Sequence, residues 1–133
     1  PKAFSGEAGQ WKEVAEREFA GIMLVIMACR SDKSKHGVAK YGHLSDGNLH
    51  LVLVRKCSRL QYLRFLLEMS HHGLEKGGRH GEYVQVVPAV AVRIEPLGAQ
   101  SHWNVDGELL PVSGIQAEVQ RGVVDVFARG VEP

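Results

Sequence analysis

Leu49, Leu51 and Leu53 alternate with His50, Val52 and Val54, a period of two that predicts a strand over residues 49–55. The preceding Ser45-Asp46-Gly47-Asn48 is a turn signal. Further upstream, an unbroken apolar run containing Ile22, Val25 and Ile26 predicts a buried strand over residues 19–29. A polar, Lys-rich loop over residues 30–41 follows it. Residues 11–19 fit two patterns: Trp11, Val14, Ala15 and Phe19 match helical spacing, and a strand pair is the alternative. Residues 1–10 are small and polar and are expected to be a frayed N-terminal segment.

One helix is predicted. Ser58 followed three residues later by Gln61 forms a capping box, and Leu60, Leu63, Leu66 and Leu67 recur at helical spacing. Tyr62, Phe65 and Met69 widen the apolar surface beyond one face, and Gly73 is the expected stop. After a loop rich in Gly and charge over residues 74–81, strands are expected at residues 83–87, 90–95, 101–105, 108–112, 115–120 and 123–129. Ile115, Ala117 and Val119 alternate with Gln116, Glu118 and Gln120, the mark of a sheet with one wet face. The fold expected is mainly β, an antiparallel β-sandwich with one inserted amphipathic helix.

Length and charge narrow the functional classes. At 133 residues the chain suits one domain. Sixteen basic residues against fifteen acidic ones, with no long basic run, give no footprint for nucleic acid. Cys29 and Cys57 make no disulfide framework and fit a reducing, cytoplasmic compartment. The longest apolar run, residues 21–29, is too short to span a bilayer. Pro1-Lys2 at one end and Val131-Glu132-Pro133 at the other look like boundaries within a longer protein.

Several residue groups could carry chemistry, each with a plainer alternative. Asp106-Gly107-Glu108 sets a carboxylate on either side of a glycine, where a ligand can approach the backbone; Asp-Gly also makes ordinary hairpin turns. The histidines show no spacing that would gather three metal ligands, and His71-His72 suit the negative end of the helix. Arg55, Lys56, Arg59 and Arg64 form either a solvated face or a surface attracted to anionic lipid or phosphate. Cys57, among these cations, reads as packing rather than as a nucleophile. Leu60, Leu63, Phe65, Leu66, Leu67 and Met69 offer more apolar surface than one stripe needs. They either pack a sheet or cover an apolar ligand channel. Ser45-Asp46-Gly47 leads into a strand, not a helix, so it lacks the dipole of a phosphate-binding loop.

Three blocks carry a family resemblance over roughly residues 11–133. The segment from Leu44-Ser45-Asp46-Gly47-Asn48 through Arg55-Lys56-Cys57-Ser58-Arg59 to Leu63-Arg64-Phe65-Leu66 resembles ceramide kinases. Val87-Pro88-Ala89-Val90-Ala91-Val92-Arg93-Ile94-Glu95-Pro96 looks more like sphingosine kinases. Trp103-Asn104-Val105-Asp106-Gly107-Glu108-Leu109, with Phe127-Ala128-Arg129-Gly130-Val131-Glu132, is similar to both. These are lipid kinases built like diacylglycerol kinases. The resemblance implies that residues 11–133 are a C-terminal lipid-binding domain and that an N-terminal domain with the nucleotide loop lies outside this sequence. It further implies a sphingolipid substrate, ceramide or sphingosine, phosphorylated on its primary hydroxyl with ATP and Mg²⁺ during peripheral membrane contact. By the same resemblance Asp106, Gly107 and Glu108 close onto ATP, with Asp106 catalytic, and Asp46 holds a magnesium ion with the carbonyls of His43 and Asn48. Leu63, Phe65, Leu66, Leu67 and Met69 would flank the lipid. A catalytically silent lipid-binding or scaffold relative is the alternative implied.

Overall fold

A computed structural model of the chain describes residues 2–4, 11–15, 17–75, 82–98 and 101–127. Its strands are β1 (Lys2–Phe4), β2 (Trp11–Glu13), β3 (Phe19–Val25), β4 (Leu49–Arg55), β5 (Val84–Ala89), β6 (Ala91–Ile94), β7 (His102–Val105), β8 (Glu108–Pro111) and β9 (Ile115–Glu118). The single helix among the described residues, α1 (Arg59–His72), lies between β4 and β5. The strands form a sheet ordered β2-β1-β6-β9, a sheet ordered β3-β4-β5 and a separate β7-β8 hairpin, with antiparallel pairing throughout. The expected β-rich, antiparallel fold with one helix is the one found.

Strand β4 organises the layers because both of its faces are apolar. Leu49, Leu51 and Leu53 pack with Ala89, Val92 and Ile94, joined by Ile22, Leu24, Trp103, Ile115 and Ala117, to fill the space between the two sheets. Val52 and Val54 point the other way and pack with Phe65 of α1, together with Tyr62, Met69, Met23, Val84 and Val86. The period of two therefore separates two dry faces rather than a dry face from a wet one. A single residue, Val90, separates β5 from β6, so the chain steps from one sheet to the other there. Pro88, which has no N–H to donate, lies on β5 at the sheet edge, where a strand tolerates it.

The helix ends follow the sequence signals. Ser58 Oγ accepts from the Gln61 N–H at 3.3 Å and Gln61 Oε1 accepts from the Ser58 N–H at 2.8 Å, which completes the capping box. The Gly73 N–H donates to the Met69 carbonyl, and His71 and His72 occupy the last turn. The loop between β3 and β4 is stitched to this end of α1: Leu74 N–H donates to Val38 O at 2.9 Å, and the Ser70 hydroxyl donates to Lys33 O at 3.2 Å. Among the described residues no helix is long and apolar enough to cross a membrane.

Three boundaries differ from the expectations. Lys2–Phe4, expected to fray, pair with both β2 and β6, because a third edge completes the sheet beside Ala91–Ile94. Strand β3 stops at Val25, four residues early. Val25 pairs with His50, and β4 extends only to Leu49, so Ile26 and Met27 have no strand to pair with and are exposed. Residues 123–127 form no strand, and Val123, Val124, Val126 and Phe127 are exposed. Among the described residues this segment pairs with no strand, and a strand without a partner is not stable. Residues 128–129 of that expected strand lie outside the described residues, as does most of the loop at residues 74–81.

Phe65 is 1% exposed and Leu60 is 79% exposed, so truncating the two should differ sharply. Phe65→Ala is expected to lower the unfolding free energy by about 3–5 kcal/mol, whereas Leu60→Ala should stay within about 0.5 kcal/mol of the original chain. Urea denaturation of both variants measures this. Removing the cap with Ser58→Ala should cost about 1 kcal/mol in the same assay.

Candidate functional site

The Asp106-Gly107 turn joins β7 to β8, with Val105 opposite Glu108 in the ladder. A two-residue hairpin needs positive φ at both central positions; Asp106 has φ +49° and Gly107 has φ +99°. Asp is among the few side chains that tolerate this region, and Gly enters it freely. Asn104 Oδ1 accepts from the Gly107 N–H at 2.9 Å and pins the turn from within. Trp103 anchors the hairpin by packing on the intersheet core while its indole N–H donates to Ser113 O at 3.0 Å. Asp106 and Glu108 are both exposed, and among the described residues neither carboxylate has a hydrogen-bond or ion-pair partner. The turn thus presents two anionic groups that the fold itself does not use.

The Asp46 turn is the opposite case. Asp46 Oδ1 accepts from Asn48 N at 2.7 Å, and Oδ2 accepts from His43 N at 3.2 Å and lies 3.1 Å from His50 Nε2. The carboxylate is thereby committed to shaping the turn that delivers the chain into β4. The His43 carbonyl accepts from Asp46 N at 3.0 Å, within the same turn. Arg121, far along the chain, closes over the turn with its guanidinium 3.4 Å from the carbonyls of Asp46 and Gly47. Gly47 is the residue this closure requires: it has φ +69°, and a Cβ there would lie 1.9 Å from Arg121 Nε. The His50–Asp46 and Arg121–Gly47 contacts were not anticipated. The first depends on how the turn folds back, and the second joins segments with no shared sequence pattern.

The five helix residues expected to flank a lipid divide between faces. Phe65 is core, and Met69 packs against the same cluster. Leu63 and Leu67 are each 53% exposed on the opposite face, and Leu66, at 38%, lies on the shoulder between them. These five side chains do not share one cavity wall. Among the basic residues, Lys56 donates to Glu18 at 2.8 Å; that bond holds the Glu18 carboxyl below its ordinary range and lifts Lys56 above its own. Arg64 sits 3.9 Å from Glu68.

The two carboxylates at the hairpin tip, unpaired among the described residues, are of the chemical type that contacts metal-bound phosphate or a hydroxyl. They do not make a complete metal centre, because no three His, Cys, Asp or Glu side chains come together among the described residues. The remaining ligands would have to come from elsewhere. At Asp46 both carboxylate oxygens accept backbone hydrogen bonds that shape the turn, from His43 N–H and Asn48 N–H. No hydrogen bond or ion pair connects Asp46 with the Asp106-Gly107-Glu108 turn among the described residues.

Comparison with known proteins gives a consistent picture. The chain is 35% identical over 126 residues to a ceramide kinase of Arabidopsis thaliana, covering 95% of this chain and 20% of that protein. Human ceramide kinase is 29% identical over 92% of this chain and 28% of its own length. Human sphingosine kinase 1 is 32% identical, again over 92% of this chain and 31% of its own length. No family model matches the chain. The chain spans between a fifth and a third of the length of these three relatives.

The contrast between the two acids predicts separable effects. Asp46→Ala strands the His43 and Asn48 N–H groups and should cost about 1–3 kcal/mol in urea unfolding. Asp106→Asn keeps the turn conformation and should change stability by no more than about 0.5 kcal/mol.

Proposed function

We infer that this chain, a segment of the ceramide and sphingosine kinase family, supplies the lipid-facing half of an ATP-dependent sphingolipid kinase and one wall of its nucleotide cleft. The observation that carries this reading is the Asp106-Gly107-Glu108 turn. It has two exposed acids without partners among the described residues, at the tip of a two-residue hairpin, in a chain that matches lipid kinases along nearly its whole length. The phosphate-binding loop belongs to an N-terminal domain of the same protein.

The reaction joins the primary hydroxyl oxygen of the lipid to the γ-phosphorus of ATP and breaks the bond to the β-γ bridging oxygen, releasing ADP and the hydroxyl proton. Bound nucleotide supplies the phosphoryl group, and magnesium neutralises charge on it. Asp106 accepts a hydrogen bond from the hydroxyl, which orients the oxygen and gives its proton a destination. Glu108 contacts the nucleotide or its magnesium shell, and the bare Cα of Gly107 lets these ligands come against the backbone. Positioning and charge, not covalent chemistry, are what the hairpin contributes. On the helix we assign the acyl chains to the shoulder at Leu66 and Met69, with Phe65 holding that shoulder from behind. Leu63 and Leu67 flank it on the outer side. A substrate this insoluble places the enzyme at a membrane, which agrees with a cytoplasmic protein in peripheral contact.

Kinase assays on the full-length parent with Mg·ATP and detergent-dispersed ceramide or sphingosine test this. Asp106→Asn should lower kcat by about 10²–10⁴-fold with the fold intact, and Glu108→Gln should raise the KM for ATP. Undiminished turnover by both variants would remove the hairpin from the site. A folded parent inactive on both lipids would favour a silent lipid-binding relative.

A further inference from the structure

The outer face of α1 is apolar, which is unusual for the solvent side of a helix packed on a sheet. Leu60, Leu63 and Leu67 lie one to two turns apart on the side opposite Phe65 and are 79%, 53% and 53% exposed. Basic residues border this stripe: Arg59 at the start of the helix, Arg64 one turn from both Leu60 and Leu67 and 3.9 Å from Glu68, and the histidines His71 and His72 in the last turn. Next to the far end, the Ser70 hydroxyl donates to Lys33 O and the Ser34 hydroxyl to Met69 O, which docks the exposed, basic turn carrying Arg30, Lys33 and Lys35 against the helix. The acids within this perimeter are Asp32 and Glu68, and the first turn of the helix contains none.

We propose that this leucine stripe with its cationic rim is a docking surface for an anionic lipid bilayer, with α1 lying in the interface plane. The charge distribution selects that occupant. A leucine row sinks into the acyl boundary while long Arg and Lys side chains reach the headgroup phosphates from its borders. A polybasic border adds attraction that salt weakens. The proposal deepens the membrane part of the function proposed above by naming the surface, and it sets the helix so that the shoulder at Leu66 and Met69 lies next to the lipid phase.

The test uses the 133-residue chain and vesicles of phosphatidylcholine with or without about 30% phosphatidylserine, with no ceramide and no nucleotide present. The chain should co-sediment with the anionic vesicles, less so at high salt, and poorly with phosphatidylcholine alone. Leu60→Gln/Leu63→Gln/Leu67→Gln and, separately, Arg59→Glu/Arg64→Glu should each weaken binding by about tenfold or more, with circular dichroism confirming the fold. Binding unchanged in the leucine variant overturns the proposal. So does failure of the unaltered chain to bind either vesicle, whether it is monomeric or forms a dimer that the leucine variant abolishes. The Arg59→Glu/Arg64→Glu variant touches neither the hairpin nor the shoulder at Leu66 and Met69, so with detergent-dispersed substrate its loss of vesicle binding is separable from any loss of the proposed activity.

Discussion

Burial of strand β4 on both faces is the constraint from which the rest of the molecule follows. Leu51, Val52, Leu53 and Val54 are almost completely removed from water, which requires one apolar layer against the leucines and another against the valines. The second sheet answers the first requirement and α1 answers the second. Strands β3 and β5 then satisfy the backbone of β4 on its two edges. Removing either layer would expose a dry face, so the helix is a structural necessity before it is anything else.

That constraint separates the parts that hold the fold from the parts free to do chemistry. At the entrance to β4, Asp46 spends its carboxylate on His43, Asn48 and His50, and Arg121 locks the turn from outside. The β7-β8 hairpin joins the core through Trp103, and at its tip Asp106 and Glu108 are exposed and unpaired among the described residues. On α1 the same division runs around the helix: Phe65 binds it to the sheet, and the leucines opposite have no internal role. Function is read most securely where side chains are not needed for stability.

Much of this was legible in the sequence because it rests on local rules. The Ser58–Gln61 capping box, the alternation at residues 49–55 and the Asp106-Gly107 turn are each determined within a few residues, and each appears where expected. What could not be read depends on partners distant along the chain. The strand pairing of Lys2–Phe4 follows from an available edge at β6, and residues 123–127, apolar and β-forming, pair with no strand among the described residues. The unbroken apolar run Leu51-Val52-Leu53-Val54 carries the two-sided burial of β4 in the sequence, but which layer covers each face depends on segments distant along the chain. The apolar helix residues likewise fit either a packed sheet or a ligand channel by spacing alone, and only the sheet fixes which side Phe65 faces.

If the Asp106-Gly107-Glu108 hairpin meets nucleotide in the full-length protein, hydrogen–deuterium exchange with and without Mg·ATP should register it. Exchange should slow across residues 104–109 on nucleotide binding, with the amides of β4 unchanged because they are already protected. Nucleotide bound elsewhere in the protein, with exchange at residues 104–109 unaltered, would contradict it.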